Sequence, residues 1–199
     1  MARHPPFFVV GVCRAALGPA AGVSNDMRTR RLTLRELEDR DVKRIAELAG
    51  DWDVARMTAR IPYPYSEPLA HQWLLGLEPG EFVRAVDLEG ELIGAVGYVP
   101  GSDRSAEIGY WIGKPWWGRG FATEAAHALV RYCFASARIG RLTCCHFVDN
   151  PASARVIAKL GFRLVGPCTA WCDARRAEVE TLSYERRRPM TSLFWGPAA

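Results

Sequence analysis

The sequence predicts an α/β (α+β) fold, a mixed and mostly antiparallel sheet of about seven strands flanked by helices. Strand-like patterns of period two come first and then alternate with helical patterns, which calls for one sheet with helices on its faces. A length of 199 residues suits one domain with ragged ends, large enough to fold without staples. The composition, 49% hydrophobic and 24% charged, excludes disorder, collagen and a coiled-coil rod.

The elements follow in order. Residues 1–26 form an N-terminal extension, expected to be loosely ordered. Their apolar run from Phe7 to Cys13 has the outline of a signal peptide, but Arg14 breaks it. Met27 opens Arg28-Thr-Arg-Arg-Leu-Thr-Leu-Arg35, an alternating strand pattern, and the main domain is expected over 27–188. Val42, Ile45, Ala46, Leu48 and Ala49 line one face of a helix that Gly50 ends. Three prolines make 60–68 a loop, and Ser66 is placed to cap a helix through Leu69, Trp73 and Leu74. Phe82 to Val86 and Leu92 to Val99 read as a hairpin about Glu89-Gly90, followed by a strand from Ala106 to Ile112. Apolar residues every three to four positions from Phe121 to Phe134 predict a long buried helix. Leu142 to Val148 is a strand. Asn150, Pro151 and Gly161 bracket a last helix as N-cap, first residue and C-terminal stop. Two strands close the domain, Arg163 to Thr169 and Glu178 to Tyr184, before a tail at 189–199.

The net charge of +4 is scattered, giving no stripe for nucleic acid, and no apolar run is long enough to span a membrane. Six cysteines form no CxxC pair and four histidines are dispersed. Free thiols in a reducing cytoplasm are expected, with no metal site.

The chemistry concentrates between Glu107 and Glu124, where a strand runs through Pro115 into a loop with Gly118 and Gly120, then a helix. Glycines allow a tight turn and close approach of a ligand. The N–H groups of a first helical turn attract anions. Gly118-Arg-Gly-Phe-Ala-Thr123 is neither a dinucleotide fingerprint nor a Walker loop. On these glycines alone, a phosphate site and a ligand-free strand-to-helix turn remain equally open.

Several motifs in order resemble the GNAT N-acetyltransferases, and most of all the ribosomal-protein N-terminal acetyltransferases. They are Arg31-Leu-Thr-Leu-Arg35, Pro62-Tyr-Pro-Tyr65, Glu107-Ile-Gly-Tyr-Trp-Ile-Gly113, Trp116-Trp-Gly-Arg-Gly-Phe-Ala-Thr-Glu-Ala125, Asp149-Asn-Pro-Ala-Ser153 and Lys159-Leu-Gly-Phe162. The family's pyrophosphate signature, Gln/Arg-x-x-Gly-x-Gly/Ala, reads Trp117-Gly-Arg-Gly-Phe-Ala122 here, with Trp in the first place. The resemblance implies the GNAT fold and acetyl-CoA as co-substrate. It implies that the backbone of Ile112 meets the pantetheine arm. The loop Trp117, Gly118, Arg119, Gly120, Phe121, Ala122 and Thr123 would then hold the pyrophosphate. Arg119 is equally readable as a solvated side chain.

The reaction so implied is attack of a neutral primary amine on the acetyl-CoA thioester in a ternary complex, which requires a base or a water relay. Glu107 is the candidate base, its plain alternative being a strand-face carboxylate in an ion pair. A strand N–H near Ile112 could stabilise the thioester oxygen. Many family members place a tyrosine where this chain has Ile157, so the resemblance shifts support of the leaving thiolate to Asn150 and Ser153, both also natural capping residues. Tyr63, Tyr65 and Trp73 fall in the family's acceptor region and are equally readable as core. Trp171-Cys172-Asp173 stands where the ribosomal enzymes tend to carry a glutamate. The acceptor is therefore expected to be a small-molecule amine or a protein N-terminus, with a homodimer as one possible assembly. The alternatives are a non-catalytic acyl-CoA-binding or regulatory domain and an enzyme with a covalent intermediate on Cys145.

Overall fold

The computed structural model describes residues 26–77 and 80–189. The expectations for the Phe7–Cys13 run and for the tail beyond residue 189 lie outside these. Met27 opens β1 (Met27–Arg28), and β2 is Thr33–Arg35. The sequence reads these as one strand. They are two because the Thr29 N–H donates to the Leu32 carbonyl (2.9 Å) and the Leu32 N–H donates back to Thr29 Oγ1 (2.9 Å), folding the chain into a turn. That turn makes the sheet eight-stranded.

Of the helices that follow, α1 (Val42–Ala49) buries the five apolar residues its pattern marks and stops at Gly50. The four-residue α2 (Trp52–Ala55) is too short to show a period. The Asp51 carboxylate caps it by accepting from the Asp53 N–H at 2.7 Å. In α3 (Glu67–Leu75), Ser66 holds the N-cap position without a side-chain bond to the helix. Strands β3 (Phe82–Leu88), β4 (Glu91–Pro100) and β5 (Ser105–Ile112) form a meander. After them come α4 (Phe121–Ala135), β6 (Arg141–Phe147), α5 (Pro151–Lys159), β7 (Arg163–Cys172) and β8 (Ala177–Arg187).

The strand order is β1-β2-β3-β4-β5-β6-β8-β7, antiparallel throughout the described residues except between β5 and β6. Helices α4 and α5 cover one face, where Phe121, Leu129, Ile157 and Leu160 meet Leu34, Val86, Ile93 and Ile108. Burying each such side chain is worth about 1.5–3 kcal/mol. Helices α1 and α3 cover the other face, packing Ile45, Leu48 and Ala70 on Ala85, Leu92 and Trp111.

Two polar devices fix this second layer. The Arg35 guanidinium makes two 2.8 Å bonds to Asp41 and one of 2.9 Å to Asp87, all three side chains being largely buried. The tip of the β7–β8 hairpin is strapped to the α2 segment: the Asp173 N–H donates to the Ala59 carbonyl (2.9 Å) and Arg175 Nε to the Arg56 carbonyl (2.7 Å). Arg175 also pairs with Asp149 at 2.8 Å. No helix of the described residues is long and apolar enough to cross a membrane.

Candidate active site

The site grows from one break in the sheet. β5 and β6 pair only through Ser105↔Arg141, Ala106↔Leu142 and Glu107↔Thr143, and then part. On its other side β5 stays paired to β4 as far as Gly94↔Ile112. The Gly113 N–H donates to the Ile93 carbonyl at 2.8 Å, so Gly94 and Ile112 are a non-hydrogen-bonded pair. The main-chain groups of Ile112, and of Tyr110 two residues earlier, therefore point away from β4 and into the gap. The Ile112 carbonyl is taken up by the Trp117 indole N–H at 2.6 Å. The indole thus braces the loop against the strand, a use for the tryptophan at the first position of the glycine signature.

The elbow follows. Gly118 has φ +74° and Gly120 φ +81°, the left-handed region where a side chain is strained. A Cβ on Gly118 would meet no atom within 4 Å, and one on Gly120 only the Arg31 guanidinium at 3.6 Å. Both face open space. The first α4 bond runs from the Glu124 N–H to the Gly120 carbonyl (3.1 Å), so the N–H groups of Phe121, Ala122 and Thr123 precede the helical ladder. Open glycines beside unused donors and the positive end of a 15-residue helix are what a diphosphate requires, and acetyl-CoA fits this cradle. Arg119 is exposed, its guanidinium 4.9 Å from the centre of the buried Phe121 ring.

The candidate catalytic residues flank the gap from opposite faces. The period of β5 turns Ile108, Tyr110 and Ile112 toward α4 and α5, and Glu107, Gly109 and Trp111 toward α1 and α3. Glu107 is exposed, and its carboxylate accepts a weak bond from the Cys145 thiol at 3.8 Å. Cys145 lies at the surface, yet partial desolvation by its neighbours, and then the Glu107 charge, push its thiol up to about 12. This works against Cys145 as a nucleophile. Its neighbour His146 is engaged elsewhere. The His146 Nδ1–H donates to the Phe147 carbonyl (2.7 Å), leaving Nε2 to accept from the Tyr184 hydroxyl (3.0 Å).

On the other face, Asn150 caps α5, its carbonyl oxygen accepting from the Ser153 N–H at 3.0 Å. The Ser153 hydroxyl lies 2.9 Å from that of Tyr110. Burial pushes the Tyr110 phenol well above its ordinary value, against the opposing pull of the Ser153 bond, so it stays protonated. Ile157 is fully buried in the core. Sequence reasoning passed over Tyr110, although the period that puts Ile112 on this face puts Tyr110 there too.

The aromatic residues of the acceptor region separate. Tyr65 and Trp73 pack partly buried among the α1 and α3 residues, and burial raises the Tyr65 phenol to about 12. Tyr63 stays exposed and meets Trp52 of α2 edge-on, with ring centres 5.0 Å apart. Trp52 was missed with the short helix that carries it. The two form an open aromatic corner. Beside it α2 is tied to the residues after β5 by Lys114 and Asp53, 2.7 Å apart.

Comparison with known proteins agrees with this architecture. Residues 31–163 match the family model described as "Acetyltransferase (GNAT) domain". The chain is 30% identical over 180 residues to the uncharacterized N-acetyltransferase YoaA of Bacillus subtilis (strain 168), covering 82% of this chain and 97% of that protein. It is 28% identical over 159 residues to the [ribosomal protein uS5]-alanine N-acetyltransferase of Escherichia coli (strain K12), covering 70% and 79%. An acetyltransferase of the GNAT family from Bacillus anthracis superposes with a TM-score of 0.71 at 24% identity, over 82% of this chain and 98% of that one. A strand gap with a glycine elbow at its end, within a match spanning most of the domain, leads to one assignment: the chain belongs to the GNAT acetyltransferases, enzymes that transfer acetyl from acetyl-CoA to an amine.

Proposed function

We propose that this enzyme acetylates a primary amine brought to the Glu107 face of the β5–β6 gap, while acetyl-CoA lies along the α4–α5 face with its pyrophosphate on residues 118–123. The single observation that carries this reading is the parting of β5 and β6 immediately after Glu107. It opens a passage between the two faces with a carboxylate at one mouth and the glycine elbow at the other. Bound acetyl-CoA supplies the activated acyl group, whose C–S bond breaks as the amine nitrogen bonds to the acyl carbon.

The remaining roles belong to the chain. Glu107, directly or through water, accepts the proton that the ammonium must lose. The Ile112 N–H, turned into the gap, offers a donor to the oxygen on which negative charge develops. The Tyr110 O–H donates to Ser153 Oγ, which leaves the serine proton directed at the departing sulfur. Asn150 sets the first turn that holds Ser153. Tyr63, with Trp52 beside it, forms a wall for the acceptor.

The acceptor is a protein N-terminus or a small amine. The uS5-alanine acetyltransferase among the relatives favours the first, and the missing glutamate near Asp173 favours the second. Thiol release from acetyl-CoA, measured with N-terminal peptides and small primary amines, tests the reading. Acetylated product from one of the two panels is expected. Tight acetyl-CoA binding with no turnover on either panel, and no labelled product in a cell extract, would instead mark a non-catalytic binding domain.

A further inference from the structure

We propose that an arginine corner at the paired end of the β5–β6 seam docks the phosphate backbone of a nucleic-acid duplex. The gap opens beyond Glu107↔Thr143, whereas the corner sits at the other end, by Ser105↔Arg141. Its arginines are dispersed along the sequence, and the fold collects them. Arg104 ends the β4–β5 turn, Arg138 follows α4, Arg141 opens β6, Arg187 closes β8 and Arg188 comes after it. Main-chain bonds tie these segments together. The Gly140 N–H donates to the Arg104 carbonyl (2.7 Å) and the Arg188 N–H to the Gly140 carbonyl (2.9 Å). The Arg104 guanidinium donates to the Arg138 carbonyl at 2.8 Å, and Arg141 stands directly opposite Arg187 across β6 and β8.

The corner carries surplus positive charge. All five arginines are exposed. Arg187 pairs with Glu185 at 3.5 Å, while Arg104, Arg138, Arg141 and Arg188 have no ion pair among the described residues. The carboxylates of segments 101–105, 138–141 and 185–188 are Asp103 and Glu185 alone. Like charges set opposite on adjacent strands repel, so the Arg141–Arg187 pairing destabilises the sheet until an anion bridges it. Guanidiniums at five points suit an anion that is equally spread. A free phosphate engages one or two of them, whereas a polyphosphate chain engages them all. No exposed large apolar side chain comes from these three segments. A bilayer or a folded protein partner would therefore find no apolar anchor here. All five arginines stand on turns, loops and strand ends, none on a helix able to enter a groove. Contact is thus confined to the backbone, and RNA and DNA duplexes are equivalent partners.

Fluorescence anisotropy on the full chain tests this with labelled RNA and DNA duplexes. Both should bind at low salt, and affinity should fall roughly 100-fold between about 50 and 200 mM salt, as about four phosphate contacts require. Arg141→Gln/Arg188→Gln should weaken both duplexes at least about tenfold at the lower salt and reduce the salt slope by about two. Acetyl-CoA affinity and thiol release should not change, and with the Arg141–Arg187 repulsion relieved Tm should not fall. Should the double variant fail to fold, each single variant is expected to remove about one unit of slope. Arg40→Gln/Lys43→Gln removes two charges near α1 instead and should bind both duplexes like the wild type. Absence of binding at low salt would overturn the proposal. So would equal weakening by the two double variants, or tighter binding to phosphatidylserine vesicles or polyglutamate than to either duplex.

Discussion

The Tyr110 hydroxyl sits 2.9 Å from the Ser153 hydroxyl, joining β5 to the first turn of α5 across the mouth where β5 and β6 part. Tyr110→Phe keeps the ring and removes only this bond. One hydrogen bond is worth about 1 kcal/mol, so kcat should fall roughly fivefold with KM for acetyl-CoA little changed. If the tyrosine acts only by aligning the serine, Tyr110→Phe should add nothing to Ser153→Ala. Additive losses in the double-mutant cycle would show that the two act separately.

Gly120 tests the cradle. Gly120→Glu places a carboxylate where the pyrophosphate approaches, and acetyl-CoA affinity should drop at least tenfold, about 1.4 kcal/mol. The positive φ strains any side chain by about 1–2 kcal/mol, so Gly120→Ala serves as the control. It should lower the unfolding free energy by a similar amount while keeping most of the binding. Calorimetry that finds both variants binding like the wild type removes the phosphate from this loop.

Glu107→Gln should lower kcat by roughly 10²- to 10⁴-fold if the carboxylate takes the proton. Acetyl-CoA affinity should be unchanged, because Glu107 and the elbow lie at opposite mouths of the gap. Residual activity should climb with pH, as solution supplies more neutral amine. A Gln variant with wild-type rate at neutral pH ends the assignment. The search then moves to Asp173 or Glu178, or to a water wire.

The Arg35–Asp41–Asp87 cluster governs acid stability. Burial alone would raise the Asp41 carboxyl, but hydrogen bonds from Arg35 and from the Glu38 N–H outweigh it and hold the group below its ordinary 3.8. The unfolded chain therefore takes up this proton first as pH falls. The stability contributed is complete above the unfolded value and is lost as pH drops through the folded one. Asp41→Asn should cost about 3 kcal/mol near neutral pH, since it strips one partner from a buried guanidinium. It should also flatten the acid limb of the curve. Urea titrations of both proteins from neutral pH down to about pH 3 measure the two effects, and an unchanged acid limb would remove Asp41 from this role.

Much of this was legible because periodicity is a strong signal over long elements. The 15 residues of α4 repeat it four times, and the Asn150-Pro151…Gly161 bracket marks α5 at both ends. What escaped has identifiable causes. α2 is four residues long and rests on one Asp51 cap. The break between β1 and β2 depends on a Thr29 side-chain bond inside an otherwise regular alternation. In the site, the elbow glycines were readable since their conformations demand glycine. Tyr110 was not, because a half-buried tyrosine in a strand looks like core until its hydroxyl is seen to have a partner. Tyr65 and Trp73 show the converse: aromatics in an acceptor region that pack largely against α1 and α3.

The three-rung contact between β5 and β6 also has a mechanical meaning. It divides the sheet into two plates, one of five strands and one of three, joined along a seam of three residue pairs where the flanking β4–β5 and β6–β8 ladders have seven each. Resistance to twisting is low along that line, which is also the proposed reaction channel. A molecule lodged there rivets the plates together. The apo protein should therefore creep at the seam, and amide protons at Tyr110 and Ile112 should exchange well before those of β4. Saturating acetyl-CoA, by contrast, should slow exchange at both and stiffen the sheet from its middle outward.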